Sequence, residues 1–241
     1  MDLDKDQVIE NSLLLRALLH DLVNPLSVIA STVSLLQEMG EYPPQSAMFI
    51  DKIQKAAQEQ VDIIEKTKAL RKYLAGQDPL PLKPLDLDDI FRNVARKLGS
   101  QLTHKNIHLS ISIEEDEDAL ILGEKAGFET LVIEPLLSNA IRYSYPNSNV
   151  DVTAKRQKDL LELRIKDQGT GIPEKVLKNM FDIKSRLRKP DVDGNYGLGL
   201  SMPLLKYYLD RCGVGIRIES KEKELSPQKH GTEVVLICKA P

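Results

Sequence analysis

The hydrophobic period of this chain changes across one proline-rich stretch, and that change limits the fold more than any other feature. Before "GQDPLPLKPLDL" (residues 76–87), Leu15, Leu18, Leu22, Leu26, Ile29, Val33 and Leu36 recur at steps of about three and four. That is the stripe of an amphipathic helix. After it, "NIHLSISI" and "LLELRIKD" alternate at period two, as strands do. Three prolines within the stretch suit an extended linker and sustain neither pattern. The chain therefore reads as a helical domain over residues 1–75, a linker over 76–87 and an α/β domain over 88–241.

The first helix is expected to run to about Glu38, where "MGEYPPQS" breaks it, because Gly40, Pro43 and Pro44 cannot continue a helix. A second stripe follows through Ile50, Ile53, Ala57, Val61 and Ile64. Two antiparallel helices bury little core by themselves, so a second copy is expected to complete a four-helix bundle. In the second domain the patterning predicts helices near 88–102, Lys125–Tyr143 and Leu198–Arg211. Strands are expected at "NIHLSISI", "ALIL", "VDVTAKR", "LLELRIKD", Val214–Ser220 and Glu233–Cys238. The fold class is α plus α/β: a helical hairpin forming a dimeric four-helix bundle, then an α/β sandwich with a mixed sheet.

Composition excludes some functions. A formal charge of -3 and a pI near 5.9 supply no basic field for nucleic acid. Cys212 and Cys238 lack ligand spacing and read as reduced thiols. No apolar run approaches a membrane span, and "DLDKDQ" after Met1 is no signal segment, so a cytoplasmic location is expected. His104 and His108 straddle a helix-to-strand boundary with no adjacent Glu or Cys and read as solvated, while His230 is expected in a turn.

Several stretches carry chemistry. In "LLHDLVNPL" (residues 18–26), His20 and Asn24 lie one turn apart on the face away from Leu22. Neutral imidazole is a competent nucleophile, Asp21 can orient it or take its proton, and Pro25 should kink the helix beside it. Asp167 closes an apolar strand before "QGTG", where Gly169 and Gly171 allow a close backbone approach. Asn139, Arg142 and Tyr143 share nearly one helix face. "GNYGLGL" lacks the Lys-Ser/Thr ending of a P-loop and the third glycine of a dinucleotide fingerprint. Gly197 and Gly199 instead open a helix whose amides can hold phosphate oxygens. The polar "KSRLRKPDVDGN" before it suits a lid.

These segments, in this order, resemble the catalytic core of sensor histidine kinases, joining a dimerisation and phosphoacceptor domain to a GHKL-type ATP-binding domain. "LLHDLVNPLSVI" is similar to the phosphoacceptor box, "LLSNAIRYS" to the asparagine box, and "DQGTGIP" and "YGLGLSM" to the two glycine boxes. "FDIKSR" resembles the phenylalanine box and "HGTEVVL" the final glycine-threonine element. The resemblance implies that Asp167 receives the adenine amine and that Asn139 holds Mg2+ carrying the triphosphate. It implies that Arg142, Tyr143, Gly169, Gly171, Ile172, Gly197, Leu198, Gly199, Leu200 and Thr232 surround ATP. His20 would take the γ-phosphoryl group and pass it to an aspartate of a response-regulator receiver domain. Asn24 stands where the family orients a water, which implies phosphatase activity toward that partner. Val23, Pro135, Lys184 and Asn195 depart from the family pattern. They feed a rival reading, a histidine phosphotransfer protein or pseudokinase that has lost ATP binding.

Overall fold

The computed structural model describes residues 26–36, 38, 43, 46–50, 52–54, 56–57, 60–61, 64, 81–113, 120–182, 185, 189–194, 201–223 and 230–241. The chain divides into two compact units, Met1–Gln77 and Asp78–Pro241. His20, Asp21, Asn24 and the Pro25 kink lie outside the described residues, as do Gly197, Leu198, Gly199 and Leu200.

In the first unit, residues 26–36 and 46–50 are helical, and helical residues continue to position 64. The Gln54 side-chain amide donates to Ser34 Oγ at 3.1 Å across the hairpin. Val33, Ala57 and Ile64 are buried, whereas Val28, Ile29, Leu35, Leu36, Met48, Phe49 and Ile53 are exposed on the single chain. Much of the apolar stripe thus stays uncovered within one protomer.

In the second unit, residues 83–86 depart from the expected linker. They form strand β1 (Lys83–Asp86), paired antiparallel with β3 (Leu120–Gly123). Pro84 is tolerated because β1 is a two-stranded edge where a missing N–H costs little. Asp86 then caps the helix Leu87–Lys97, its carboxylate accepting the N–H groups of Asp88 and Asp89, and Leu87, Ile90, Phe91 and Val94 fill the core. A break at Leu98 separates this helix from Gly99–Lys105, where a single helix is expected.

The main sheet has the order β2-β4-β5-β7-β6, with β2 (His108–Ile113), β4 (Asn149–Gln157), β5 (Leu160–Asp167), β6 (Gly215–Lys221) and β7 (Gly231–Lys239). β2 runs parallel to β4 and the other pairs are antiparallel, so the sheet is mixed. Alternation sets its buried face: Val150, Val152 and Ala154 on β4, then Leu161, Leu163, Ile165 and finally Asp167 on β5. An aspartate therefore occupies the last inward position of an otherwise apolar row.

Helical residues run without interruption from Lys125 to Tyr143, as expected, but Phe128–Ile133 form a π-helix before the α-helix Glu134–Tyr143. Pro135 accounts for the widened turn. It has no N–H to give the Leu131 carbonyl, and its ring needs that carbonyl moved aside. The helix Glu174–Asn179 was not expected, and Ser201–Cys212 packs the fully buried Tyr208. The Tyr208 hydroxyl donates to Glu124 O at 2.8 Å, which ties this helix to the start of the long helical run. Among the described residues no helix is long and apolar enough to cross a membrane. Cys212 and Cys238 are free and buried, and burial pushes the Cys238 thiol up to about 12.

Candidate functional site

The site is built around the end of β5. Asp167 is 8% exposed, and its Oδ1 accepts the N–H groups of Gly169 at 2.8 Å and Thr232 at 3.0 Å. Both bonds fall on one oxygen, and among the described residues Oδ2 has no hydrogen-bond donor, so it can accept one. Burial pushes the Asp167 carboxyl up to about 6, against the opposing pull of those two N–H groups and the nearby His230 and Lys189 charges.

Backbone packs closely around this carboxylate. A Cβ at Gly169 would stand 2.3 Å from the Tyr143 carbonyl oxygen, and a bridge joins Gly169 to Ser144. Gly171 has φ +69, and a Cβ there would meet Lys221 O at 2.1 Å. Gly231 has φ +123, with Asp167 O at 2.1 Å from the same imagined atom. Only glycine fits such approaches. Ile172 N–H donates to Ser220 Oγ at 2.8 Å, and that hydroxyl meets Thr232 Oγ1 at 2.8 Å. His230, expected merely in a turn, donates from Nδ1 to Gly169 O at 2.7 Å and sets its ring edge-on to Tyr145. A cleft of about 1060 Å3 opens here, lined among others by Asp167, Leu177, Ile218, Ser220, His230 and Thr232.

Asn139, Arg142 and Tyr143 do not line that cleft. They stand beside it: Asn139 reaches the helix Ser201–Cys212, and Arg142 and Tyr143 reach the segment between that helix and Glu174–Asn179. Asn139 Nδ2 approaches Met202 Sδ at 3.6 Å, Arg142 Nε meets Asp191 Oδ2 at 2.6 Å, and the Tyr143 hydroxyl donates to Lys189 O at 3.3 Å. Burial raises the Tyr143 hydroxyl above its usual range. Two contacts join this group to the glycine loop: Thr170 N–H donates to Tyr143 O at 3.1 Å, and Lys189 Nζ donates to Gly171 O at 2.5 Å. Lys105 Nζ closes the helix C-terminus with bonds to the carbonyls of Ile141 (3.3 Å), Arg142 (2.6 Å) and Ser144 (3.4 Å). Burial holds that ammonium below the usual lysine range, with Asp193 and Asp191 opposing.

The structure thus brings together Asp167, Gly169, Gly171, Ile172 and Thr232, and sets Asn139, Arg142 and Tyr143 next to them. Sequence reasoning missed Lys105, Lys189, Asp191, Ser220 and Gly231. Gly231 was legible only as the neighbour of Thr232 in "HGTEVVL", and the others carried no signal beyond polarity. His104 and His108 are both exposed, one in the helix Gly99–Lys105 and one opening β2. Among the described residues no three His, Cys, Asp or Glu side chains form a metal cluster. Asn139 still suits Mg2+, which commonly takes one or two protein oxygens and fills its shell with phosphate and water. Its amide nitrogen faces Met202, so Oδ1 points elsewhere.

Comparison with known proteins gives a consistent picture. Residues 10–76 match the His Kinase A (phospho-acceptor) domain, and residues 127–241 match the Histidine kinase-, DNA gyrase B-, and HSP90-like ATPase family. Adaptive-response sensory kinase SasA of Synechocystis sp. is 28% identical over 205 residues, covering 82% of this chain and 51% of SasA. Sensor histidine kinase YkoH of Bacillus subtilis is 28% identical, covering 84% of this chain and 43% of its own length. The chain therefore spans about half the length of the curated relatives it matches. Among solved structures, full-length ShkA in complex with AMPPNP aligns at TM-score 0.67 and 16% identity, over 94% of this chain and 45% of ShkA. Histidine kinase ThkA in complex with response regulator TrrA aligns at TM-score 0.60 and 16% identity, over 98% of this chain and 64% of ThkA. At such identities these structures speak for the fold alone.

Proposed function

Since this chain belongs to the histidine kinases, as a catalytic core that joins a phosphoacceptor domain to an ATPase domain, we propose that it phosphorylates its own His20 from ATP. Asp167 is the observation that carries the ATP half: a buried carboxylate with one oxygen saturated by backbone and the other left for an amine, walled by glycines where a flat base can slide. Above about pH 6 that carboxylate is ionised and accepts the adenine amino group. Ser220 and Thr232 pair their hydroxyls behind it and keep the floor of the cleft polar. Arg142 and Tyr143 serve the phosphates together with the backbone amides of the Gly197, Leu198, Gly199 and Leu200 stretch, and Asn139 Oδ1 serves the metal. Mg2+, when bound, neutralises charge on the transferring phosphates.

The His20 imidazole attacks the γ-phosphorus in line. A P–N bond forms as the β–γ bridging P–O bond breaks, ADP departs, and Asp21 accepts the imidazole proton. The phosphoryl group then passes from the His20 nitrogen to a receiver-domain aspartate of a response regulator, and Asn24 orients a water that hydrolyses the resulting aspartyl phosphate to free aspartate and inorganic phosphate. The uncovered apolar residues of the first unit, including Ile29, Leu36, Phe49 and Ile53, suit a second copy of the hairpin, so the working form is a homodimer. The cytoplasm is the compartment where ATP and reduced thiols coincide.

Incubation with γ-labelled ATP and Mg2+ tests the reading. Acid-labile label on wild type, its loss in His20→Gln, and unchanged ATP titration in that variant are the expected results. Label that survives in His20→Gln defeats the assignment. Pro135 favours the rival pseudokinase, because it replaces a residue of the asparagine box and reshapes the helix ahead of Asn139. ATP titration showing no heat with wild type would select that rival.

A further inference from the structure

We infer that Asp191 is a positioning residue: it holds the Arg142 guanidinium toward the triphosphate and so sets the preference for ATP over the bare nucleoside. The inference rests on the ATP-binding reading above. Asp191 is a buried carboxylate, with 5% of its side chain exposed against 32% for Arg142. Its Oδ1 accepts the Asp193 N–H at 3.0 Å, and its own carbonyl accepts Gly194 N–H at 3.1 Å, so a turn locks the carboxylate in place. Its Oδ2 then meets Arg142 at Nε, 2.6 Å away.

That choice of atom matters. Guanidinium is a rigid planar fork, and fixing it along the Nε edge sets the plane in which its terminal nitrogens lie. A buried carboxylate beside a phosphate site would repel the ligand unless cations offset it. Arg142 does so, together with Lys105, which stands 3.9 Å from Asp193 and acts electrostatically on Asp191 as well. Lys189 completes the anchor two residues earlier, its ammonium on the Thr170 and Gly171 carbonyls. One short segment therefore braces the glycine loop with Lys189 and fixes the plane of the Arg142 guanidinium with Asp191.

Asp191→Asn is the direct test, because an asparagine oxygen still accepts the Asp193 N–H while the negative charge that meets Arg142 at Nε is removed. In the full chain, calorimetric titration should show ATP·Mg2+ binding weakened about tenfold and adenosine binding within about twofold of wild type. Arg142→Lys keeps a cation but loses the fork and should show the same selective loss. Added to an Arg142→Met background, Asp191→Asn should bring no further weakening of ATP·Mg2+ binding, because the carboxylate there has no guanidinium to orient. Equal losses for ATP and adenosine would reduce Asp191 to a structural role and overturn the inference, as would unchanged or tighter ATP binding in the single variant, or a further loss of ATP binding in the Arg142→Met background. Wild type that binds adenosine but gains nothing from the phosphates would overturn it too. Wild type that binds neither ligand would instead remove the nucleotide reading on which it stands.

Discussion

The two ends of the site in the second unit are made of different materials. Around Asp167 the walls are backbone: carbonyls of Tyr143, Lys221 and Asp167 itself lie within about van der Waals distance of glycines that leave no room for a side chain. Around Arg142 the framework is side chain: the Asp191 carboxylate, the Lys105 and Lys189 ammonium groups and the Tyr143 hydroxyl. A backbone wall cannot be altered without altering the fold, whereas a side-chain wall can be tuned one residue at a time. The end at Asp167 is thus a product of folding, and the end at Arg142 is open to adjustment.

The largest break in this comparison should come from Gly231→Ala. Its φ of +123 and the Asp167 carbonyl 2.1 Å from a new Cβ leave no unstrained solution. A destabilisation above about 3 kcal/mol is expected in urea denaturation, and a stable, well-folded variant would mean that the loop is softer than its contacts imply. Asp167→Asn comes next and should separate stability from function. The folded carboxyl titrates near 6, above the usual Asp value, so its favourable contribution is complete below about pH 4 and lost as pH rises through about 6. At pH 7 the buried charge costs stability, and the asparagine variant should be more stable by about 1–3 kcal/mol while ATP affinity falls on the order of 100-fold. The stability gap should close as pH drops from 6 to 4, and ATP binding to wild type should weaken as pH falls through about 6. A gap that does not move with pH would show that Asp167 is not the group responsible. The smallest effect belongs to Lys105→Met, which removes three carbonyl bonds at a helix end but leaves an apolar stem. A loss of about 1–2 kcal/mol with adenosine binding retained would confirm that the two ends are separable.

Much of this organisation was legible in the residues. The change of period located the helical and α/β regions, and the strand "LLELRIKD" led to Asp167 as the residue that closes it before "QGTG". The glycines of "DQGTGIP" announced a close approach, although not of which backbone. Other features were hidden. Lys83–Asp86 read as linker because prolines suppress strand signals, and pairing to β3 outweighed them. The π-helix before Pro135 was invisible to a periodicity that treats all helical turns alike. Lys105 lies 37 residues from Arg142 and Asp191 lies 49 residues from it, and no local pattern connects them.

Local chemistry therefore determined which elements form, where glycine is required and which polar residues sit near strand ends and helix faces, since period, propensity and steric bulk act over a few neighbours. Tertiary structure alone decided which distant charges meet and how deeply Asp167 is buried. Those outcomes depend on desolvation and on distances between segments far apart in the chain, and neither quantity exists until the sheet and its helices have closed on one another.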